Sequence, residues 1–464
     1  MKNFNRKFVY FICLVSAMGG LLFGYDWVVI GGAKPFYEVF FGIGARPSLQ
    51  GLAMSIAIVG CLLGAVLTGY LADRFGRKPL MAVASVIFFV SACATGAFND
   101  FNLFLAARFL GGIAIGIASG LSPMYIAEVS PPRIRGRLVS VNQLTIVLGI
   151  LAAQVVNWLI AEPIAEGVTA APVDSWNCRM GWRWMFWAEA FPAALFMALV
   201  FFIPESPRWL AMKGRSERAS RILADIGGTE YAREQMEAIR HSAPQSGSRG
   251  GLSLLLGRPY RRVLLLGVIA AVFQQWCGTN VIFNYAQEIF TDAGYGLGEM
   301  LFNIVLTGIV NVIFTFVAIY TVDRVGRRSL VLWGAAGLAV IYAVLGTCYY
   351  FHVKGFFMVV LVVAAIACYA MTLGPVTWVL LSEIFPNKVR AVAVAVSTFA
   401  LWAGCFTLTY TFPLLNAALG SFGTFWIYAA ICSAGLLYFV FRLPETKGRS
   451  LEELETALIK ENNR

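Results

Sequence analysis

Three ionisable residues stand inside long apolar runs of this 464-residue chain: Asp26, Arg108 and Glu189. A charge in hydrocarbon is costly, so each such residue is by default a functional candidate with a partner to be found. Asp26 lies ~27 Å beyond the Lys- and Arg-rich start of its run, counted at helical rise. Arg108 and Glu189 lie about five residues below the far ends of theirs, which brings all three to similar depth. Pairing of Asp26 with Arg108 is then geometrically reasonable. A buried pair stays charged only while both partners are present. A proton taken by the Asp26 carboxylate would release Arg108 and tie protonation to a change of state, with Glu189 as relay or bias. The plainer reading is a static ion pair that fixes helix packing.

A second set of charges sits in the polar breaks between runs: Asp73, Arg77, Glu128, Arg135, Glu205, Asp323, Arg327, Glu383, Arg390 and Glu445. Basic residues alone could merely set topology, but paired Asp and Glu at matching positions need another reason. Ion pairs at helix ends are individually modest and exchangeable, which suits a face that must close in one state and open in another. Glycine in these loops allows the tight turn, and Asp complements a helix N-terminus.

The elements that must hold these residues follow from composition. The chain is 59% hydrophobic and 13% charged, whereas soluble domains carry about a quarter charged residues. Apolar residues come in blocks of about 20, long enough for a helix to cross a ~30 Å hydrocarbon core. Helix satisfies its own backbone hydrogen bonds there. The blocks predict twelve spans near 8–31, 52–71, 79–98, 103–126, 138–161, 184–203, 262–290, 300–321, 330–351, 357–382, 391–413 and 421–442. The basic N-terminus followed by its long run is the first span rather than a cleaved leader. About thirty of the 36 Lys and Arg fall on the side of the termini, which places both termini in the cytoplasm by the positive-inside rule. That distribution accounts for the net charge of +11 without nucleic acid as a partner. Nine scattered cysteines without C-x-x-C read as small buried residues, not as a disulfide framework or zinc site. His241 and His352 lie in loops without ligand spacing, so no metal, cofactor or enzymatic site is expected. No N-x-[ST] sequon occurs, in keeping with a bacterial inner membrane.

Three loop signatures recur in order. "GYLADRFGRKPL" returns as "IYTVDRVGRRSL", "AEVSPPRIRG" as "SEIFPNKVRA", and "PESPRWL" as "PETKGRS". The offsets are 323 − 73 = 250, 383 − 128 = 255 and 445 − 205 = 240. Duplication of a six-helix unit explains them, and two such halves are a transporter architecture. The predicted division is 1–203 for the first bundle, 204–261 for a linker with short helices (Ser216 to Arg240, then a looser Ala243 to Gly251), 262–442 for the second bundle and 443–464 for a tail with a short amphipathic helix near Leu451.

On these motifs the chain resembles the sugar porter family of the major facilitator superfamily across its length. Asp73 to Lys78 and Asp323 to Arg328 are similar to the superfamily loops; Pro204 to Leu210, Pro444 to Gly448 and Gln274 to Asn280 are similar to the sugar porters specifically. Asp26 makes it most like bacterial D-xylose:proton symporters. The resemblance implies an all-α membrane protein of two pseudo-symmetric six-helix bundles rocking around a central site, importing a monosaccharide with a proton and working as a monomer. It implies substrate contacts at Gln143, Gln274, Gln275, Asn280 and Asn311, with Trp378, Trp402, Phe23 and Tyr285 as walls. Neutral amides suit a sugar because they donate and accept without the cost of burying an ion, although amides also glue membrane helices together. Ile150, Leu401 and Asn284 depart from the family pattern, which leaves xylose, glucose, galactose, arabinose and polyols open. A passive facilitator of the same fold and a non-transporting sugar sensor are the rival readings; the sensor would want a longer signalling tail. Gly112, Gly116, Gly120, Pro123 and Pro375 are expected to serve helix contact and bending.

Overall fold

A computed structural model describes residues 4–163, 172–241, 255, 257–385 and 389–445. The tail helix near Leu451 and the Ala243 to Gly251 stretch lie outside them. The described residues are helical and turn-connected, with no strand. The first six long helices are α1 (Arg6–Phe41), α2 (Pro47–Phe75), α3 (Arg77–Ala97), α4 (Phe101–Val129), α5 (Arg135–Ile160) and α6 (Trp182–Leu199). A short helix α7 (Pro207–Met212) and a 26-residue polar helix α8 (Ser216–His241), broken at Gly228, follow. Next come α9 (Arg258–Trp276), α10 (Thr279–Asn284), α11 (Ala286–Asp292), α12 (Leu297–Val325), α13 (Arg327–Tyr350), α14 (Phe356–Met371), α15 (Leu373–Glu383) and α16 (Arg390–Arg442).

Among the described residues, eleven helical stretches are long and apolar enough to cross a membrane, but one of them is α16. Its 53 residues would run ~80 Å if straight, more than twice the hydrocarbon thickness. Gly420 breaks it with φ 68° and ψ 173°. Two spans result, which brings the total to twelve.

Sequence chemistry sets the helix ends. Asp100 caps α4 by accepting from the Asn102 and Leu103 amides at 2.9 and 3.0 Å, satisfying N–H groups the helix cannot. Pro375 removes a donor and crowds the carbonyl four residues back; the chain breaks just there, at Thr372 between α14 and α15. Pro123, by contrast, lies within an uninterrupted α4. Small residues let backbones meet: a Cβ on Gly116 of α4 would stand 2.3 Å from the Cys61 carbonyl of α2.

The span predicted over 262–290 is discontinuous. It breaks at Gly278 and again at Tyr285, giving α9, α10 and α11. Discontinuous spans free backbone groups and re-aim side chains, as transporter sites require. Two compact units are present. The first comprises Met1–Val29, Val59–Val156 and Arg183–Ser248; the second comprises Ile30–Ile58, Asn157–Trp182 and Arg249–Arg464.

Candidate functional site

In the first unit, helices α1, α4 and α6 bring the three intramembrane charges together. The Arg108 guanidinium donates to Asp26 Oδ1, and its second terminal nitrogen reaches the Asp26 carbonyl at 3.2 Å. Both residues are 2% exposed, as is Glu189. Glu189 lies within electrostatic reach of both partners, and Tyr25 lies within reach of Glu189. The Phe186 ring covers the guanidinium at 5.5 Å. Four polar atoms here have no protein hydrogen-bond partner: Asp26 Oδ2, Arg108 Nε, Glu189 Oε1 and the Tyr25 hydroxyl. Buried polar atoms are normally paired. These four atoms stand where one guanidinium meets two carboxyl groups and a phenol.

In the second unit the amides gather at the α9/α10 break. Asn280 donates to Gln275 Oε1, Gln275 donates to Gln274 Oε1 at 2.5 Å, and Gln274 donates to the Tyr369 hydroxyl at 2.6 Å. The result is a one-directional chain of neutral donors and acceptors, and it adds no net charge to a low-dielectric site. Asn280 also lies 3.8 Å from Cys405 Sγ. Asn311 on α12 and Trp402 on α16 are buried at 7% and 4% exposure. Tyr285, fully buried, donates to the Thr409 carbonyl at 2.6 Å and packs on Phe412. Trp378 on α15 is 42% exposed. Gln143 and Phe23 are half-buried on α5 and α1 of the first unit, with Phe23 edge-on to Trp27.

At the charged loops, each unit repeats one arrangement. In the first, Arg77 grips Glu128 through two nitrogens, both at 3.0 Å, and meets Asp73 at 3.2 Å. Glu205 accepts from the Arg77 amide at 2.9 Å and the Ser206 amide at 2.7 Å. In the second, Arg327 meets Glu383 at 3.0 Å, and Glu445 accepts from the Arg327 and Arg328 amides at 3.0 and 3.2 Å. Arg135 is exposed. The side chains of Asp323 and Arg390 lie outside the described residues.

Sequence reasoning missed several participants. Ser206 donates to Glu128 and caps α7 through the Trp209 amide; a serine ahead of proline carries that signal. Tyr369 ends the amide chain but sits in an apolar run with nothing to mark it. Lys34 and Glu38, both buried, form an ion cluster with the half-buried Glu288 in the second unit. Lys34 follows Asp26 by eight residues within one helix, and carrying the first span past residue 31 would have found it.

A sequence profile of the sugar (and other) transporter family matches residues 12–458. The D-xylose-proton symporter of Escherichia coli (strain K12) is 38% identical over 98% of this chain and 96% of its own length. The arabinose-proton symporter of Bacillus subtilis (strain 168) is 37% identical over 99% of this chain and 97% of its own. The solved inward-open structure of the xylose transporter from E. coli matches with a TM-score of 0.84 at 36% identity, covering 97% of this chain and 99% of that one. With twelve spans, repeated loop clusters and a profile match over almost its whole length, the chain belongs to the sugar (and other) transporter family: it is a multi-pass membrane transporter of the major facilitator fold, not an enzyme.

Proposed function

We propose that this protein is a proton-coupled monosaccharide symporter working by alternating access, with D-xylose as its first candidate substrate. The observation that carries the reading is the buried Asp26–Arg108 pair beside Glu189. One guanidinium faces two carboxylates there. A proton arriving on Asp26 neutralises it, and Arg108 then turns its charge to Glu189, so that protonation alters which helix the cation holds. In the second unit the amide chain through Asn280, Gln275 and Gln274, with Asn311 and the aromatic side chains of Tyr285, Trp378 and Trp402, supplies hydrogen bonds for sugar hydroxyls and flat surfaces for its C–H face; Gln143 and Phe23 offer the same chemistry in the first unit. Asp73, Arg77, Glu128, Arg135, Glu205 and their counterparts Asp323, Arg327, Glu383, Arg390 and Glu445 form the inner gate. Both termini face the cytoplasm in this reading, and the protein acts as a monomer.

The names of the two relatives join a proton to a pentose, which supports both the coupling and the sugar size. Ile150 and Leu401, both buried, bring apolar side chains to this region; they depart from the pattern of xylose-handling members and leave the choice of sugar to the uptake experiment. Uptake into proteoliposomes tests the reading with xylose, arabinose, glucose and galactose, each with and without an imposed proton gradient. Accumulation above equilibrium only with the gradient is expected, strongest for xylose. Equal filling with and without it would leave a passive facilitator.

A further inference from the structure

Lys34 is 1% exposed, which is rare for an ammonium unless it is paired. Its partners are Glu38, one turn along α1, and Glu288 on the half-helix α11. The ammonium stands 2.9 Å from Glu38 Oε1 and donates to Glu288 Oε1. Gln50 of α2 donates to Glu38 Oε2 at 3.1 Å, and the Tyr285 ring lies 5.6 Å from the ammonium. Backbones are tight here as well: a Cβ on Gly31 would stand 2.7 Å from the Phe283 carbonyl of α10.

The charges do not balance. One cation faces two carboxylates, so the fully ionised cluster carries −1 while Glu38 is 6% exposed. Glu288 Oε2 is a buried atom with no hydrogen-bond partner, and Glu38 Oε1 faces only the ammonium it shares with Glu288. An uncompensated buried charge is expensive, and the usual escape is to bind a proton. A metal ion is a poor substitute, because the ammonium already occupies the space between the carboxylates. Tyr285 lies within electrostatic reach of Glu38 and Glu288, and Tyr37 and Tyr428 within reach of Tyr285; none of these phenols supplies a positive charge. Tyr37 and Tyr285 already donate, to Met54 and the Thr409 carbonyl. Asp292, one turn beyond Glu288, is engaged by the Ser421 hydroxyl.

We propose that Lys34, Glu38 and Glu288 form a second proton-binding site, separate from Asp26, which holds one exchangeable proton while α11 is docked against α1. The site has the same composition as the Asp26, Arg108 and Glu189 cluster, a single cation shared by two carboxylates. It lies on the same helix, eight residues or ~12 Å further along. The proton is shared by the two carboxyls, Glu38, whose Oε1 faces the ammonium, and Glu288, whose Oε2 is buried without a partner. Its loss leaves Glu38 and Glu288 competing for one ammonium and loosens α11.

The test is infrared difference spectroscopy of the full chain in lipid nanodiscs as pH is stepped. A D26N/R108M/E189Q background removes the first cluster's charges together, so the readout does not depend on transport or on that cluster's role. A protonated-carboxyl band that disappears at alkaline pH is expected in this background. Adding E38Q or E288Q leaves one carboxylate balanced by Lys34, so each should abolish it. Adding K34M should leave both carboxyls protonated and roughly double the band. Glu38→Asp keeps the carboxyl at a different reach and should shift the band without removing it. A band unchanged by both E38Q and E288Q, or no band at any pH, overturns the proposal.

Discussion

Arg327 does in the second repeat what Arg77 does in the first. Each sits after a glycine with φ near 100°, and each offers its backbone amide to a glutamate, Glu445 at 3.0 Å and Glu205 at 2.9 Å. Each turns one guanidinium nitrogen back to the carbonyl five residues earlier, Val322 at 3.2 Å and Ala72 at 2.9 Å. The surroundings differ. Side-chain exposures are 5% and 9% for Arg77 and Glu128, against 13% and 25% for Arg327 and Glu383.

That difference in burial ranks the two pairs. A hydrogen-bonded charge pair shielded from water contributes about 1.5–3 kcal/mol, and a wetter one less. Arg77→Gln should therefore slow initial sugar uptake roughly ten- to a hundredfold, and Arg327→Gln by several-fold only. Rates measured in the same vesicles at matched protein levels check the order. Equal losses would mean that burial does not set the strength of these contacts.

Gly76 provides a stability prediction. Its φ of 104° is unfavourable for any residue with a Cβ, and a Cβ there would stand 2.4 Å from Glu205 Oε2. Gly76→Ala should cost on the order of 1–3 kcal/mol, read as a lowered midpoint of thermal unfolding in detergent. Gly136→Ala is the control: it lies in α5 with nothing within 4 Å and no positive φ, and it should leave the midpoint unchanged or slightly raised.

These glycines also mark how far the sequence could be read. The twelve spans were legible because hydrocarbon demands uninterrupted apolar helices, and the repeated loops because Asp, Gly and Arg recur at fixed offsets. Asp26, Arg108 and Glu189 stood out as charges in apolar runs. The helix breaks were harder to see. Nothing in "NVIFNYAQEIF" marks Tyr285 as the end of a half-helix, since that break depends on packing against Thr409 and Phe412. Tyr369 was invisible for a related reason: a tyrosine in an apolar block is ordinary until another helix aims an amide at it.

Tyr369 now supports a prediction about the amide chain. Tyr369→Phe leaves Gln274 Nε2 without its acceptor and frees it to rotate, and one neutral hydrogen bond contributes about 1 kcal/mol. A rise in KM of about fivefold for the preferred sugar is expected, with little change in maximal rate. Gln275→Leu interrupts the chain in the middle and strands polar atoms on both sides, so its effect should be larger, about tenfold or more. Uptake kinetics over a range of sugar concentrations separate the two. A Tyr369→Phe protein with unchanged KM would mean that Gln274 is held by something other than this hydroxyl.

The Asp26 cluster yields a prediction in which stability and transport come apart. Arginine stays charged in any protein environment, whereas a carboxyl can take a proton. Removing Arg108 should therefore be tolerated, because Asp26 and Glu189 become neutral acids. Asp26→Asn should also fold, since the Glu189 carboxylate remains to balance Arg108, but it should lose uphill accumulation while retaining sugar counterflow. Asp26→Asn combined with Glu189→Gln strands the guanidinium and should cost about 3–5 kcal/mol, the usual penalty for breaking a buried pair. Adding Arg108→Met to that double variant should restore stability without restoring accumulation. Thermal unfolding of the four proteins, alongside accumulation ratios and counterflow, checks each step. If Asp26→Asn accumulates sugar as well as the parent, the pair holds helices together and plays no part in coupling.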